Sequence, residues 1–326
     1  MTVIACIVGI VMVNITHPGV GFTLDNMQAF DTSKVKTPSF VNFLFDMVPV
    51  NIVDSMAKNQ IMQMIFFTVL VGVALVSIGE KVAGVTKIFD QCASIIYKML
   101  DIVMLYSPIG VLALMANTTA VFGPKLFGVL AKFVFTDWVG CLLIWFFFSG
   151  IVWLYTKVNY LEMCKSMIPI WVNTIATNSS AGTIPITLNV TTERLKVPMS
   201  IASFSIPLGA TINLTGAALY KTILAFFVAE IYGLQLTIDQ ILMVIIISTI
   251  MSIAAPGIPG GGIVTGAIFL NLLGLPMDLM GPIAGMYRLI DMSHTTVNVS
   301  GDVLGTMLVA KNENIWTGED FNKTLV

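Results

Sequence analysis

The stretch Asp291 to Asp302, DMSHTTVNVSGD, sets two carboxylates, an imidazole, an amide and four hydroxyls between apolar flanks. Wound as a helix, Asp291, His294, Thr295, Asn298 and Asp302 fall on one stripe, with Leu289, Met292, Val299 and Val303 mostly off it. Such a stripe can hold a cation or an ammonium group. An aspartate at the centre of a bilayer costs about 2.5–3.5 kcal/mol. Two of them therefore need compensation, and ionisable groups at membrane depth are functional by default. The competing reading is a polar seam between helices, with Arg288 or Lys221 as ion-pair partners.

Two further groupings could do chemistry. GATINLTGAALY, Gly209–Tyr220, puts Asn213, Thr215 and Gly216 in the middle of an apolar segment. An unwound turn there frees backbone carbonyls, which suit a hard monovalent cation; a kinked core helix is the plainer alternative. The runs NSSAG (178–182) and PGGG (259–262) would end in helix N-termini, whose N–H groups favour an anion. Turn chemistry alone also explains each of these runs.

The elements that must carry these groups are read from an apolar chain. Of 326 residues, 56% are hydrophobic and 10% charged, with mean hydropathy +0.91. Soluble domains carry about 25% charged residues, so the composition predicts an all-α multi-pass membrane protein. The net charge of −2 gives no footprint for a nucleic acid. Cys6, Cys92, Cys141 and Cys164 are isolated, and His17 and His294 are too far apart to suggest a metal cluster. A membrane helix needs about 20 apolar residues. Ile61–Ile78, Ser94–Ala116 and Leu126–Tyr155 read as spans, Met1–Asn14 as part of one, and residues 19–59 as loop with short helices broken at Pro49. Met167–Val190, Met199–Ala229 and Ile238–Leu275 are each interrupted by small residues and proline, and Pro282–Ala310 holds the polar stripe. The tail after Lys311 reads as solvated.

Paired interrupted segments point to a transporter binding site between inverted repeats. Lys81, Lys87, Lys157, Lys165, Arg194, Lys196, Lys311 and Lys323 follow the spans on one side, whereas Glu230, Asp239 and Asp278 mark the other. The positive-inside rule puts the first group in the cytoplasm. Met167–Val190 then enters from the cytoplasm and Ile238–Leu275 from outside. Lys34 and Lys36 count mildly against that scheme.

The order SSAGTIP, PLGATINLTGAALY, GIPGGG, DMSHTTVNVSGD resembles the dicarboxylate/amino acid:cation symporter family, the glutamate-transporter fold, from about residue 1 to 311. The resemblance implies two re-entrant helical hairpins, at about 167–190 and 238–275, and a homotrimer in the cell membrane. It implies a transport domain (1–17 and 119–311) that moves past a scaffold (40–118), an extracellular loop at 18–39 and a polar cytoplasmic tail at 312–326. The chain reads as a member without the first two helices and half of the third. The resemblance implies that Ser180, Ala217, Gly257, Asp291, His294, Thr295 and Asn298 meet the substrate, Asp291 through its amino group. One sodium ion would lie among Asp302, Asn213 and the carbonyls of Gly209 and Asn298, and a second among carbonyls near the second hairpin, at Thr211, Ser252, Ile253 and Ala255. Sodium is then a coupling ion, and no other cofactor is expected.

Three departures bear on the substrate. His294 stands where members that take acids have an arginine, whose fork a histidine cannot copy. The family's NMDGT reads NLTGA (213–217), so Thr215 replaces an aspartate that helps bind a third sodium and Ala217 a substrate-binding threonine. Asn178 stands where many microbial members have an arginine. The expectation is sodium-coupled symport of a neutral polar amino acid with fewer coupled ions. A carrier of dicarboxylates or acidic amino acids is the first rival, and a truncated, transport-inactive membrane protein the second. Ser179, Ser180 and His294 could be drawn as a nucleophile and base, but without a third orienting group no enzyme is expected.

Overall fold

A computed structural model of the chain describes residues 1–22, 45–58, 60–253, 255 and 257–323. Among these residues the structure is helical, with no strand. The expected loop at 18–39 lies mostly outside them. The chain divides into two compact units, residues 37–116 and residues 1–36 with 117–326.

Within the smaller unit, α2 (Ile52–Ala57) is capped by Asn51, whose Oδ1 accepts the Val53 N–H at 3.0 Å. α3 (Ile61–Ile78) has the bounds expected from its apolar run. The next expected span, Ser94–Ala116, is instead two helices, α4 (Ala83–Met104) and α5 (Ser107–Phe122), and α5 runs on into the larger unit. Pro108 has no N–H to give an α4 continued through it, so it sits in the first turn of a new helix. Val69, Val73 and Val76 on α3 are exposed.

The larger unit holds α1 (Thr2–Thr16), α6 (Lys125–Thr156), α7 (Tyr160–Thr177), α8 (Ser180–Asn189), α9 (Met199–Ile212), α10 (Thr215–Ile231), α11 (Ile238–Ile253), α12 (Gly261–Leu272), α13 (Met280–Asn312) and α14 (Gly318–Lys323). The three interrupted segments are broken where small residues and prolines predicted. α7 ends at Asn178, in the left-handed conformation at φ 53°, and Ser179 caps α8 by accepting the Gly182 N–H at 3.0 Å. α9 and α10 part at Asn213 and Leu214; α11 and α12 part between Ile253 and Gly261. Three helical stretches, Met62–Ile96, Lys125–Thr156 and Met199–Ile231, are long and apolar enough to cross a membrane. α13 is long enough but does not qualify, because the polar stripe lowers its hydropathy.

α13 is held from several sides. Trp138 Nε1 donates to Leu289 O at 2.9 Å, Trp171 Nε1 to Ser300 Oγ at 3.0 Å, and Asn178 Nδ2 to Arg288 O at 3.0 Å. These bonds fix its rotation, and hence where the stripe faces. The tail is not wholly solvated as expected. Trp316 and Phe321 are buried in the core beside Met167, Leu195 and Met307, and Trp316 Nε1 donates to Leu195 O at 3.1 Å. Two aromatic rings supply enough apolar surface to dock an otherwise polar segment.

Candidate functional site

All seven residues expected at the substrate line one cavity, with Asn178, Leu214, Ala255, Ile258, Gly262, Thr265 and Tyr287. The cavity has a volume of about 30 Å³, room for about one water. An amino acid is larger than that. Among the described residues, the tip between α11 and α12 is tied to its surroundings at Gly257 and Gly260. Gly257 O accepts the Ala181 N–H at 3.3 Å and the Ser179 hydroxyl at 3.2 Å, which joins the two tips. The Gly260 N–H donates to Asp291 Oδ2 at 3.0 Å. Part of the expected anion site is therefore paired within the protein: the Gly260 amide holds the carboxylate expected to hold an amine.

His294 has a partner that the sequence did not disclose. Its Nε2 lies 2.8 Å from Asp137 Oδ1 on α6, and both side chains are buried. Ser293 Oγ is 3.0 Å from the other oxygen of Asp137. An ionised carboxylate only accepts, so Nε2 carries a proton and Nδ1 is left without a protein partner. The rings of Tyr220 and Tyr287 lie 5.4 Å and 6.3 Å from the imidazole. Asp137, Cys141 and His294 also bring possible metal-ligand atoms within 4.8 Å of one another. Both Asp137 oxygens are already within hydrogen-bond reach of a donor, and His294 is held as a hydrogen-bond donor to the carboxylate. A lone carboxylate in the apolar helix α6 was the available signal.

The first expected cation group comes together in part. Asn213 Nδ2 donates to Asp302 Oδ1 at 2.9 Å, and a Cβ at Gly209 would run into the Asp302 carboxylate. Gly209 O accepts the Asn213 N–H at 2.8 Å, so one of its two lone pairs is used. Asn298 Oδ1 accepts the Gly216 N–H at 2.7 Å. Asp302 Oδ2 is buried and has no protein partner. A carboxylate oxygen orphaned beside an amide and a helix break fits a cation. The second expected group is one of backbone carbonyls. Ala255 lines the substrate cavity, whereas Thr211 and Ile253 are exposed, and Thr211 Oγ1 donates to Leu208 O at 2.7 Å. Ser252 is buried, 3.5 Å from Lys221 Nζ. Lys221 and Arg288 make no ion pair with the stripe aspartates among the described residues, so the polar-seam reading lacks its partners.

At Gly216, α10 and α13 approach closely. A Cβ there would stand 2.6 Å from His294 Cα and 3.0 Å from its carbonyl oxygen, backbone atoms that cannot swing aside. Gly216→Ala should cost about 1–3 kcal/mol of stability and weaken substrate binding by displacing His294. Gly305, on the same α13, has nothing within 4 Å of such a Cβ. Gly305→Ala should stabilise by about 0.5–1 kcal/mol, as a helical glycine replaced by alanine does. Thermal unfolding of the two variants checks the pair, which must shift in opposite directions.

Comparison with known proteins decides the family. The model of the sodium:dicarboxylate symporter family matches residues 1–312. The chain belongs to that family. Its relatives include the proton/glutamate-aspartate symporter of Bacillus subtilis, 31% identical over 318 residues that cover 96% of this chain and 77% of the relative. The proton/glutamate-aspartate symporter of Escherichia coli is 31% identical over 324 residues, 96% of this chain and 74% of that one. The C4-dicarboxylate transport protein of Bacillus subtilis is 29% identical over 323 residues, 96% and 76%. Membership makes this a membrane protein of a cation-coupled symporter family, not an enzyme family. The names of these relatives refer to acidic substrates, which matches the rival expectation for the substrate rather than the neutral one.

Proposed function

We propose that this chain is a sodium-coupled symporter of a small amino acid with an uncharged polar side chain. The observation that carries the reading is the hydrogen bond between Gly260 N–H and Asp291 Oδ2. A zwitterionic amino acid can replace both halves of it, giving its ammonium to the carboxylate and its own carboxylate to the amide. Substrate binding then releases the tip from Asp291 and holds it again through the ligand. A dicarboxylate without an amine offers nothing to Asp291. The side chain faces His294 Nδ1 and Asn178 Oδ1, both buried and unpartnered. With the imidazole paired to Asp137, these two atoms accept from a hydroxyl or amide without a net charge.

In the same reading α7–α8 and α11–α12 are the two re-entrant hairpins of an inverted repeat, opening from opposite faces. Their glycine-rich breaks support it, as do the basic and acidic connections around them. Residues 40–118 serve as the scaffold of a homotrimer in the cell membrane, and alternating access comes from displacement of the hairpin unit. Asp302, Asn213 and the Gly209 carbonyl hold a coupling sodium, on the strength of the orphaned Asp302 Oδ2.

A second reading, symport of an acidic amino acid or dicarboxylate, is favoured by the names of the relatives. It requires a second proton on His294, so that Nδ1–H donates to the substrate's side-chain carboxylate. Thermal stabilisation of the purified chain across the amino acids and C4 acids, with and without sodium, separates the two. The first reading expects serine, threonine or a similar residue to stabilise in sodium. Stabilisation by aspartate, glutamate or a C4 acid alone would replace it with the second.

A further inference from the structure

Lys221 stands outside both the substrate cavity and the Asp302 group. It lies on α10 and is 0% exposed. An ammonium has three donors, yet among the described residues Nζ has two acceptors, both distant: Ala217 O at 3.3 Å and Ser252 Oγ at 3.5 Å. Among the described residues it makes no ion pair. A buried cation without a carboxylate is costly at membrane depth, and its position therefore matters. Ser252 is in the last turn of α11, immediately before the tip that carries Ala255 and Gly257. The C-terminal end of a helix bears free carbonyls and a partial negative charge, and it favours a cation.

We propose that Lys221 is a tethered cation that takes the electrostatic role of one mobile sodium ion at the C-terminal end of α11. The inference rests on the sodium-coupled reading above, because Ser252, Ile253 and Ala255 belong to the second expected sodium group. The buried Ser252 hydroxyl of that group is already beside Nζ, at 3.5 Å. A sodium ion added there would stand within a few ångströms of the ammonium, in surroundings that screen the repulsion weakly. The two cations exclude each other. A covalently held cation neither has to be captured from solution nor released, so the chain moves one ion fewer per substrate.

The test is the sodium dependence of thermal unfolding of the full chain in detergent. Choline chloride keeps the ionic strength constant, and no amino acid is present. A ligand that binds the native state raises the unfolding midpoint with a slope set by the number of ions taken up. Lys221→Gln removes the charge and opens the position, and its slope should be steeper than that of the natural chain by about one ion. Lys221→Arg keeps the charge and should keep the original slope. Equal slopes for the natural chain and Lys221→Gln overturn the proposal, and so does the absence of any sodium response in both. If Lys221→Gln does not fold, the flux ratio of labelled sodium to substrate in vesicles holding the natural chain decides. One sodium per substrate is expected, and two or more overturn the proposal. The thermal readout needs no substrate, so a wrong substrate class leaves it intact.

Discussion

Asp302→Asn is expected to weaken the sodium dependence of uptake by orders of magnitude while the protein still folds. The asparagine oxygen can still accept from Asn213 Nδ2, as Asp302 Oδ1 does at 2.9 Å. The substitution exchanges the orphaned, buried Oδ2 for an amide nitrogen and removes the charge. A unit charge acting on a cation about 4 Å away contributes about 4 kcal/mol at an effective dielectric of 20. With part of that recovered by the amide dipole, apparent sodium affinity should fall by about 10²–10³-fold, since 1.4 kcal/mol corresponds to a factor of ten. The measurement is substrate uptake against sodium concentration in vesicles, alongside the unfolding midpoint without sodium. The midpoint should hold or rise, because a buried charge without a partner has been removed. Wild-type sodium dependence in Asp302→Asn would mean that the ion is held elsewhere.

Asp137→Ala is expected to be among the most damaging single changes to stability. It leaves the buried His294 Nε2–H without the carboxylate it faces at 2.8 Å, while the Ser293 hydroxyl keeps Ile290 O at 2.7 Å. Leaving a buried donor without its acceptor costs about 1–3 kcal/mol. Substrate affinity should fall with it, because the imidazole then turns freely and no longer presents Nδ1 to the cavity. Asp137→Ala with His294→Ala separates the causes. The double variant should be less destabilised than the sum of the two single ones, because no imidazole remains to be stranded. Additive losses would mean that the two side chains act independently and that Asp137 does not set the imidazole.

The parts of the site legible in the sequence were those carried by period or punctuation. The stripe from Asp291 to Asp302 showed itself because polar residues at helical spacing stand out against apolar flanks, and all its substrate members face one cavity. The breaks at Asn178, Asn213 and before Gly261 were legible because glycine and proline interrupt long apolar runs. What was not legible depends on distance along the chain. Asp137 pairs with a residue 157 positions away, and no local pattern announces it. Lys221 entered the sequence reading only as a partner in the competing polar-seam alternative, whereas the fold turns it to Ser252. Pro108 was read as lying inside one span, but it begins a helix of its own. The docked tail escaped notice because two buried aromatic residues are outweighed by polar neighbours in any average.

The central claim is that sodium drives an amino acid into a cavity whose one imidazole is already committed to Asp137. Its most direct test is uptake of labelled serine into vesicles containing the natural chain, under an inward sodium gradient, with unlabelled competitors in turn. The account predicts uptake that collapses when sodium is replaced by choline, competition by neutral polar amino acids, and little by aspartate or a C4 dicarboxylate. Clear preference for aspartate or the dicarboxylate, or uptake indifferent to sodium, would contradict it.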